Sequence, residues 1–215
     1  MQDAERFSVV IEGLSQARNL LTSFIAREES VSSVARAASL IAACFRGRGR
    51  VLTCGNGGSM SDSMHVAEEF AGRFRKNREA LSAISISDPT HLTCVGNDFG
   101  FDKIFSRGVE AHGRHGDVLI ALSTSGKSPN VIEALHAAKK VGMTTITLTG
   151  KPGSPAAALA DIDIWTIDDS ISTNITDDQP GHPRTIYADR IQELHIKILH
   201  LLVELVEREL FPECY

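Results

Sequence analysis

Hydrophobic and polar positions follow a helical period in the first part of the chain. Between residues 4 and 27 apolar residues recur at helical spacing, and a second helical stretch runs to about Phe45, with Ser30 as its expected N-cap. The apolar positions of the first stretch are Phe7, Val10, Ile11, Leu14, Leu20, Leu21, Phe24 and Ile25. The pattern therefore predicts two helices before any strand.

Short apolar runs bounded by turn residues follow these helices. They lie at 50–54, 83–87, 118–122, 144–148 and 162–167, and the stretches between them at 59–75, 102–111 and 128–141 are long enough for helices. Strands that alternate with helices form βαβ units. The pattern thus predicts an α/β fold, a three-layer αβα sandwich around a five-stranded parallel sheet covered on both faces. At this length, residues 1–215 are expected to form a single domain.

An apolar pattern over 188–210 predicts a last helix buried against the sheet or against a neighbouring subunit. Gln192 and His200 are eight residues apart and share one side of this helix, whereas His195 points roughly the opposite way. A histidine in an apolar helix is usually a hydrogen-bonded core residue, and this interpretation applies to His195 and to His136. Spacing alone does not choose between His195 and His200 as the functional residue.

Two turns rich in glycine and serine follow the first and third predicted strands. They read CGNGGS at 54–59 and STSGKS at 123–128. Glycine lets the backbone approach a ligand, and the free N–H groups and dipole of the following helix favour an anion. One such turn is a common connector, but two at the carboxyl ends of strands in one parallel sheet predict a phosphate site.

Neither turn matches a nucleotide motif. Ala121 stands where a P-loop ending in the GKS of 126–128 needs its first glycine. In GNGGSM, Met60 replaces the third glycine of a dinucleotide fingerprint. The turns therefore favour the phosphate of a small sugar over a nucleotide cofactor.

The helix after the first turn carries a candidate chemical pair. His65 and Glu69 are four residues apart and lie on one helix face, near the turn that holds Ser59. Such a pair can hold zinc or act as acid and base, and it can equally be an ordinary polar pair on a solvated face.

Charge and cysteine usage restrict the class of protein. Lys+Arg 22 against Asp+Glu 27 gives a net charge of −5, so no overall basic field draws the chain to a nucleic acid, and none is expected as a partner. The four cysteines show no CxxC pair, which is typical of reduced thiols in the cytoplasm. The opening residues, MQDAERFSVV, lack the pattern of a signal peptide, and no apolar run approaches ~18 residues. We expect a cytoplasmic protein that does not enter a membrane.

A run of longer motifs resembles a known family. They read, in order, CGNGGS, MHVAEEFAGRF, ISISD, CVGNDFGFDKIFSR, GDVLIALSTSGKSPNVI, ITLTGK and YADRIQELHIKILH. From residue 51 onward the chain resembles the sugar isomerase (SIS) domain family, whose fold is flavodoxin-like, and within it the phosphoheptose isomerases. The resemblance implies a bacterial homotetramer in which helices within residues 1–46 contribute to the subunit interface.

The resemblance also implies an activity. Family members of this kind interconvert sedoheptulose 7-phosphate and D-glycero-D-manno-heptose 7-phosphate by acid/base ketose–aldose isomerisation. The reaction is the first step of heptose synthesis for the lipopolysaccharide core. The expected ligand is thus a small-molecule sugar phosphate, and the expected cofactor is one zinc ion per subunit.

Functional residues can be carried over from the resemblance at matching positions. The implied zinc ligands are His65, Glu69, Gln192 and His200, and the implied acid/base pair is Glu69 and His200. The implied substrate-binding residues are Asn56, Gly57, Gly58, Ser59, Glu69, Asn97, Asp98, Ser123, Thr124, Ser125, Ser128, Asp189 and Gln192.

Two features of the chain depart from the family pattern. Lys127 stands where many members have asparagine, which adds a positive charge beside the predicted phosphate site. The polar segment 168–184, expected to form a long surface loop or a partly mobile lid, is longer than the pattern requires.

Two alternative functions stay open at this point. One is a non-catalytic SIS-domain regulator that binds a sugar phosphate or a replication-initiation partner, and LFP at 210–212 resembles such relatives. The other is an isomerase that interconverts a different ketose phosphate and its aldose, for instance one that acts on fructose 6-phosphate or arabinose 5-phosphate. Serine hydroxyl groups and backbone N–H groups bind the phosphate and do not distinguish sugars by the number of their carbon atoms.

Overall fold

A computed structural model describes residues 3–167 and 187–215, so the predicted loop at 168–184 lies outside the described residues. The helices are α1 (Asp3–Ala26), α2 (Glu28–Arg46), α3 (Gly58–Ala71), α4 (Pro89–Phe99), α5 (Ile104–His112), α6 (Pro129–Val141) and α7 (Ala188–Leu210). The strands are β1 (Val51–Gly55), β2 (Ala83–Ser85), β3 (Val118–Ser123), β4 (Thr144–Thr149) and β5 (Ile162–Trp165).

The five strands form one parallel sheet in the order β2-β1-β3-β4-β5. This order confirms the predicted five-stranded parallel sheet and is that of a flavodoxin-like fold. The chain leaves β1 toward one edge of the sheet and β3 toward the other edge. The crevice between the carboxyl ends of these two neighbouring strands is the place where open α/β sheets bind ligands.

The sheet is covered on both faces because alternate strand residues point into different cores. In β3, Val118, Ile120 and Leu122 belong to a core built with α1, α2, α3 and α7. Leu119 and Ala121, which point the other way, belong to a core built with α4, α5 and α6. The three-layer sandwich and the apolar character of this strand are thereby confirmed.

Helix α7 has the predicted bounds and lies in the first of these cores, against α2 and α3. His195 is fully buried there, and its Nε2 lies 3.2 Å from the carbonyl oxygen of Thr149. Burial lowers the pKa of His195 to about 4, while the hydrogen bond to Thr149 opposes the shift. His195 is therefore a core residue, as predicted. The same prediction for His136 is wrong, because His136 is exposed on α6.

Two local predictions also need correction. Ser30 is not the cap of α2. The extended backbone of Arg27 precedes the helix, and Ser30 is buried in its first turn, where its Oγ accepts a hydrogen bond from Arg27 Nε. Helix α4 was not predicted, although Asp88 accepts a hydrogen bond from the backbone N–H of His91 and Pro89 opens the helix, both of which are start signals.

Helix α1 keeps most of its apolar side chains in solvent within the single chain. Only Leu20 and Phe24 are buried, whereas Phe7 is 69% exposed and Leu14 66% exposed. Monomers rarely expose a contiguous apolar stripe of this kind, which is typical of an interface. None of the helices within the described ranges has the length and apolar character needed to cross a bilayer.

Candidate active site

The loop after β1 leads directly into α3 and approaches α7 closely. Gly57, which precedes the helix, has a φ of +54°, a backbone conformation that favours glycine. A Cβ at Gly58 would lie 2.5 Å from Gln192 Oε1, so a larger residue here would displace the Gln192 side chain. The predicted residue Gln192 of α7 thus lies directly over the N-terminus of α3, beside Ser59.

The loop after β3 folds its hydroxyl groups around the start of α6. The Oγ atoms of Ser123 and Ser128 are 3.2 Å apart, and Ser123 Oγ also accepts a hydrogen bond from the backbone N–H of Gly126. Ser125 Oγ accepts one from the backbone N–H of Lys127. The loop is anchored to β4 through the carbonyl oxygen of Thr124, which accepts from the backbone N–H of Gly150.

A pair of asparagines joins the two loops. Asn56, in the loop after β1, and Asn130, in the first turn of α6, donate to each other through their side-chain amides. The sequence motifs indicate Asn56 but not Asn130. The only sequence signal for Asn130 is its place two residues after Ser128, which indicates a helix start and not a contact across the crevice.

A candidate metal site lies where α3 meets α7. His65 Nε2 is 3.0 Å from His200 Nε2 and 3.2 Å from Glu69 Oε1, and the three ligand atoms all lie within 4.8 Å of one another. Ligand atoms of a tetrahedral zinc ion with bonds near 2.0–2.1 Å are about 3.3 Å apart. The two separations that involve His65 Nε2 are therefore close to those of a zinc site. Helical spacing did not decide whether His195 or His200 is the functional residue. In the structure, His200 lies beside His65.

The surroundings of the cluster affect the protonation of its members. Burial, together with the neighbouring Glu68, raises the pKa of Glu69, although His65 opposes this shift. Burial and the neighbouring His65 lower the pKa of His200. Phe74, which no sequence motif indicates, stacks on the His200 ring with centroids 5.6 Å apart and restricts its orientation.

Outside the two loops, three of the predicted substrate-binding residues are exposed within the single chain. Asn97 and Asp98 lie at the end of α4, where Asn97 Nδ2 donates to Asp98 Oδ1. Asp189 lies in the first turn of α7, and its carboxylate accepts from the backbone N–H of Arg190. The described contacts of these three residues are local and do not join them to either loop.

Comparisons with known proteins identify the family. The SIS domain family matches residues 14–150. A phosphoheptose isomerase of Escherichia coli O7:K1 is 50% identical over 197 residues, which cover 92% of this chain and 94% of that protein. The chain belongs to the phosphoheptose isomerase family. This membership confirms the predicted family and the predicted ketose–aldose isomerase activity.

Solved structures of phosphoheptose isomerases share the fold. The enzyme from Neisseria gonorrhoeae is 36% identical, with a TM-score of 0.71 over 95% of this chain and 96% of that chain. The enzyme from Francisella tularensis is 28% identical, with a TM-score of 0.78 over 97% of this chain and 100% of that chain. These relatives of full length do not favour the alternative of a non-catalytic regulator. The roles of the individual site residues stay predictions.

Proposed function

We propose that this protein is a zinc-dependent phosphoheptose isomerase that converts sedoheptulose 7-phosphate to D-glycero-D-manno-heptose 7-phosphate. The observation that carries the proposal is the convergence of His65, Glu69 and His200, from two distant parts of the chain, beside the glycine- and serine-rich loops. An SIS-domain protein that only bound a sugar phosphate would need the loops but not this cluster.

The two loops would hold the phosphate group. Ser59, Ser123, Ser125 and Ser128 supply hydroxyl donors, and the N-termini of α3 and α6 supply backbone N–H groups and favourable dipoles. Asn56 and Gly57 belong to the first loop, and Thr124 belongs to the second. A phosphate held here would place the far end of an extended seven-carbon sugar near Glu69 and His200.

Isomerisation requires one proton to leave C1 of the ketose and one to arrive at C2. In this proposal Glu69 and His200 share the two transfers through a cis-enediol. The proton taken from C1 is matched by the one delivered to C2, and the hydroxyl proton that leaves O1 is matched by one that reaches O2. The pair therefore ends the reaction with the protons it began with. Positioned acid/base groups of this kind contribute about 10²–10⁴-fold to a rate.

His65, Glu69 and His200, together with Gln192, would hold zinc. The bound ion would stabilise the negative charge that develops on the enediol oxygens. A carboxylate committed to a metal is a weak base, so the proposal requires Glu69 to bind loosely or to leave the ion during turnover. Gln192 is a neutral and weak ligand, which suits a site that exchanges a protein ligand for the substrate.

The proposal includes a cytoplasmic homotetramer that acts in synthesis of the lipopolysaccharide core. The exposed apolar stripe of α1 supports an oligomer, and the free state of all four cysteines supports the cytoplasmic location. In the assembled protein Asn97, Asp98 and Asp189, which are exposed in the single chain, would complete the substrate site.

Proton NMR in deuterated water tests the proposed reaction. Purified protein incubated with sedoheptulose 7-phosphate should generate signals of an aldoheptose 7-phosphate that carries deuterium at C2. Parallel incubations with fructose 6-phosphate and arabinose 5-phosphate should give much slower exchange. Equal rates on a shorter sugar phosphate, or no exchange on any of the three, would contradict the proposed substrate.

A further inference from the structure

We propose that Arg78 is a positioning residue for the metal site, because it ties the end of α3 to α7 and so sets how the two ligand-bearing helices meet. The inference rests on the proposed function, since it assumes that His65, Glu69 and His200 bind a metal ion. It concerns a residue that does not itself touch the ion or the substrate.

The guanidinium of Arg78 is almost fully buried and uses all three of its nitrogens. Nη2 donates to the carbonyl oxygen of Glu69 at 2.7 Å, and Nη1 donates to those of Gly72 at 2.6 Å and Glu79 at 3.1 Å. Nε donates to Glu207 Oε1 at 2.7 Å. The exposed fractions of the Arg78 and Glu207 side chains are 1% and 0%.

These contacts close the C-terminus of α3. The last carbonyl groups of a helix have no partner within it, and a positive charge there is favourable. The carbonyl oxygen of Phe70 accepts from the backbone N–H of Leu81, and that of Glu68 accepts from Gly72. Arg78 supplies the missing partner for Glu69, so the backbone of the proposed base is held directly by this side chain.

The other end of the connection is on α7. Glu207 lies seven residues after His200, about two helical turns away on the same side of the helix. Its Oε2 accepts a hydrogen bond from the Tyr215 hydroxyl at 2.6 Å, so both carboxylate oxygens are occupied. Burial and this bond to Glu207 raise the pKa of Tyr215 to about 12, so the phenol keeps its proton. Arg78 and Glu207 therefore connect α3 to α7, and each nitrogen of the guanidinium and each oxygen of the carboxylate has a hydrogen-bond partner.

The geometry explains why this link would matter to the metal. The three ligand atoms come from helices with no covalent connection near the site, so the ligand separations depend on the register of α3 against α7. Partners that orient metal ligands typically change metal affinity by 10–100-fold when they are altered. A displacement of ~1 Å is enough for large losses in catalysis.

The test compares metal binding by the apoprotein of the wild type, Arg78→Lys and Tyr215→Phe. Arg78→Lys keeps the charge but cannot reach four acceptors, and we expect its cobalt affinity to fall by about 10–100-fold. Its visible cobalt spectrum should also change, while circular dichroism shows a folded protein. Tyr215→Phe should shift affinity in the same direction but less. Glu209→Gln, which breaks the exposed pair of Glu209 with Arg46, is the control and should bind as the wild type does.

The outcomes separate the two proposals. A wild type that binds no cobalt would overturn the proposed metal site itself. If the wild type binds cobalt, and the folded variants match its affinity and spectrum while only their melting temperatures fall, then the link is merely structural and the positioning role is wrong. Should Arg78→Lys not fold, an unchanged cobalt affinity in Tyr215→Phe overturns the role in the same way.

Discussion

Asn56 and Asn130 exchange two side-chain amide hydrogen bonds of 2.9 Å each, across the crevice between the ends of β1 and β3. The pair is the direct link between the two loops proposed to hold the phosphate. Because each amide is both donor and acceptor, the loss of either partner frees the two loops from each other.

Asn130→Ala is expected to raise the KM for sedoheptulose 7-phosphate by about tenfold, which corresponds to one or two lost hydrogen bonds. Asn130→Asp keeps the shape but places a negative charge beside the phosphate, so its KM should rise further. Steady-state kinetics measure both values. If both variants keep the wild-type KM, the pair does not organise the phosphate site.

Glu69→Gln is expected to abolish most turnover, by about 10²–10⁴-fold in kcat, because the amide cannot accept the proton from C1. The fold should survive, since the substitution preserves shape. The neighbouring Glu68→Gln, on the exposed side of α3, is the matched control and should keep most of the activity. A folded Glu69→Gln protein with a substantial share of wild-type kcat would show that another group is the base.

Ser125→Ala is expected to weaken substrate binding, with a rise in KM of about tenfold for a lost hydrogen bond to a charged phosphate. The kcat should change less, because Ser125 lies at the phosphate end of the sugar. Ser32→Ala, which removes an exposed hydroxyl from α2, serves as the control. An unchanged KM for Ser125→Ala would argue against the phosphate cradle.

The apolar stripe of α1 makes a prediction about assembly. Light scattering should give about four times the chain mass of 23.3 kDa for the wild type. Leu14→Asp places a charge on the exposed stripe, and we expect it to lower this mass without unfolding the subunit. A wild-type protein that elutes at the mass of one chain would contradict the proposed tetramer.

His195 predicts a pH dependence of stability. Its pKa falls from 6.5 to about 4 on folding, because burial favours the neutral ring. The His195 contribution to the free energy of unfolding is therefore complete above pH 6.5, and about 3 kcal/mol of that free energy is lost as the pH falls from 6.5 toward 4. In His195→Gln, which does not titrate, the free energy of unfolding should fall less steeply over this range. Equal slopes in urea titrations of the two proteins would contradict the assignment.

The fold and the two loops could be predicted because their signals are local and periodic. Helix α7 shows the bounds that its apolar pattern predicts. The turns after β1 and β3 each carry a glycine with a positive φ, Gly57 and Gly126. Ser30 was wrongly placed as a cap because a serine near a helix start is also compatible with a buried first turn. Which residue precedes the helix depends on the backbone conformation of Arg27, which is extended.

Contacts between residues that are far apart in the sequence could not be predicted from these local patterns. Helical spacing does not decide whether His195 or His200 belongs to the candidate site, but packing does. His195 contacts the carbonyl oxygen of Thr149 in the core, whereas His200 contacts His65. Asn130 and Arg78 act through partners 74 and 129 residues away along the chain. A pattern along one chain does not reveal such pairs, because nothing in the local sequence distinguishes them from ordinary polar residues.

The metal content and the activity of one preparation test the central claim most directly. The protein should contain about one zinc ion per chain and lose isomerase activity on treatment with a chelator. It should regain that activity as zinc is added back to one equivalent, with no regain in His65→Ala or His200→Ala. A metal-free protein that isomerises sedoheptulose 7-phosphate at the full rate would contradict the account.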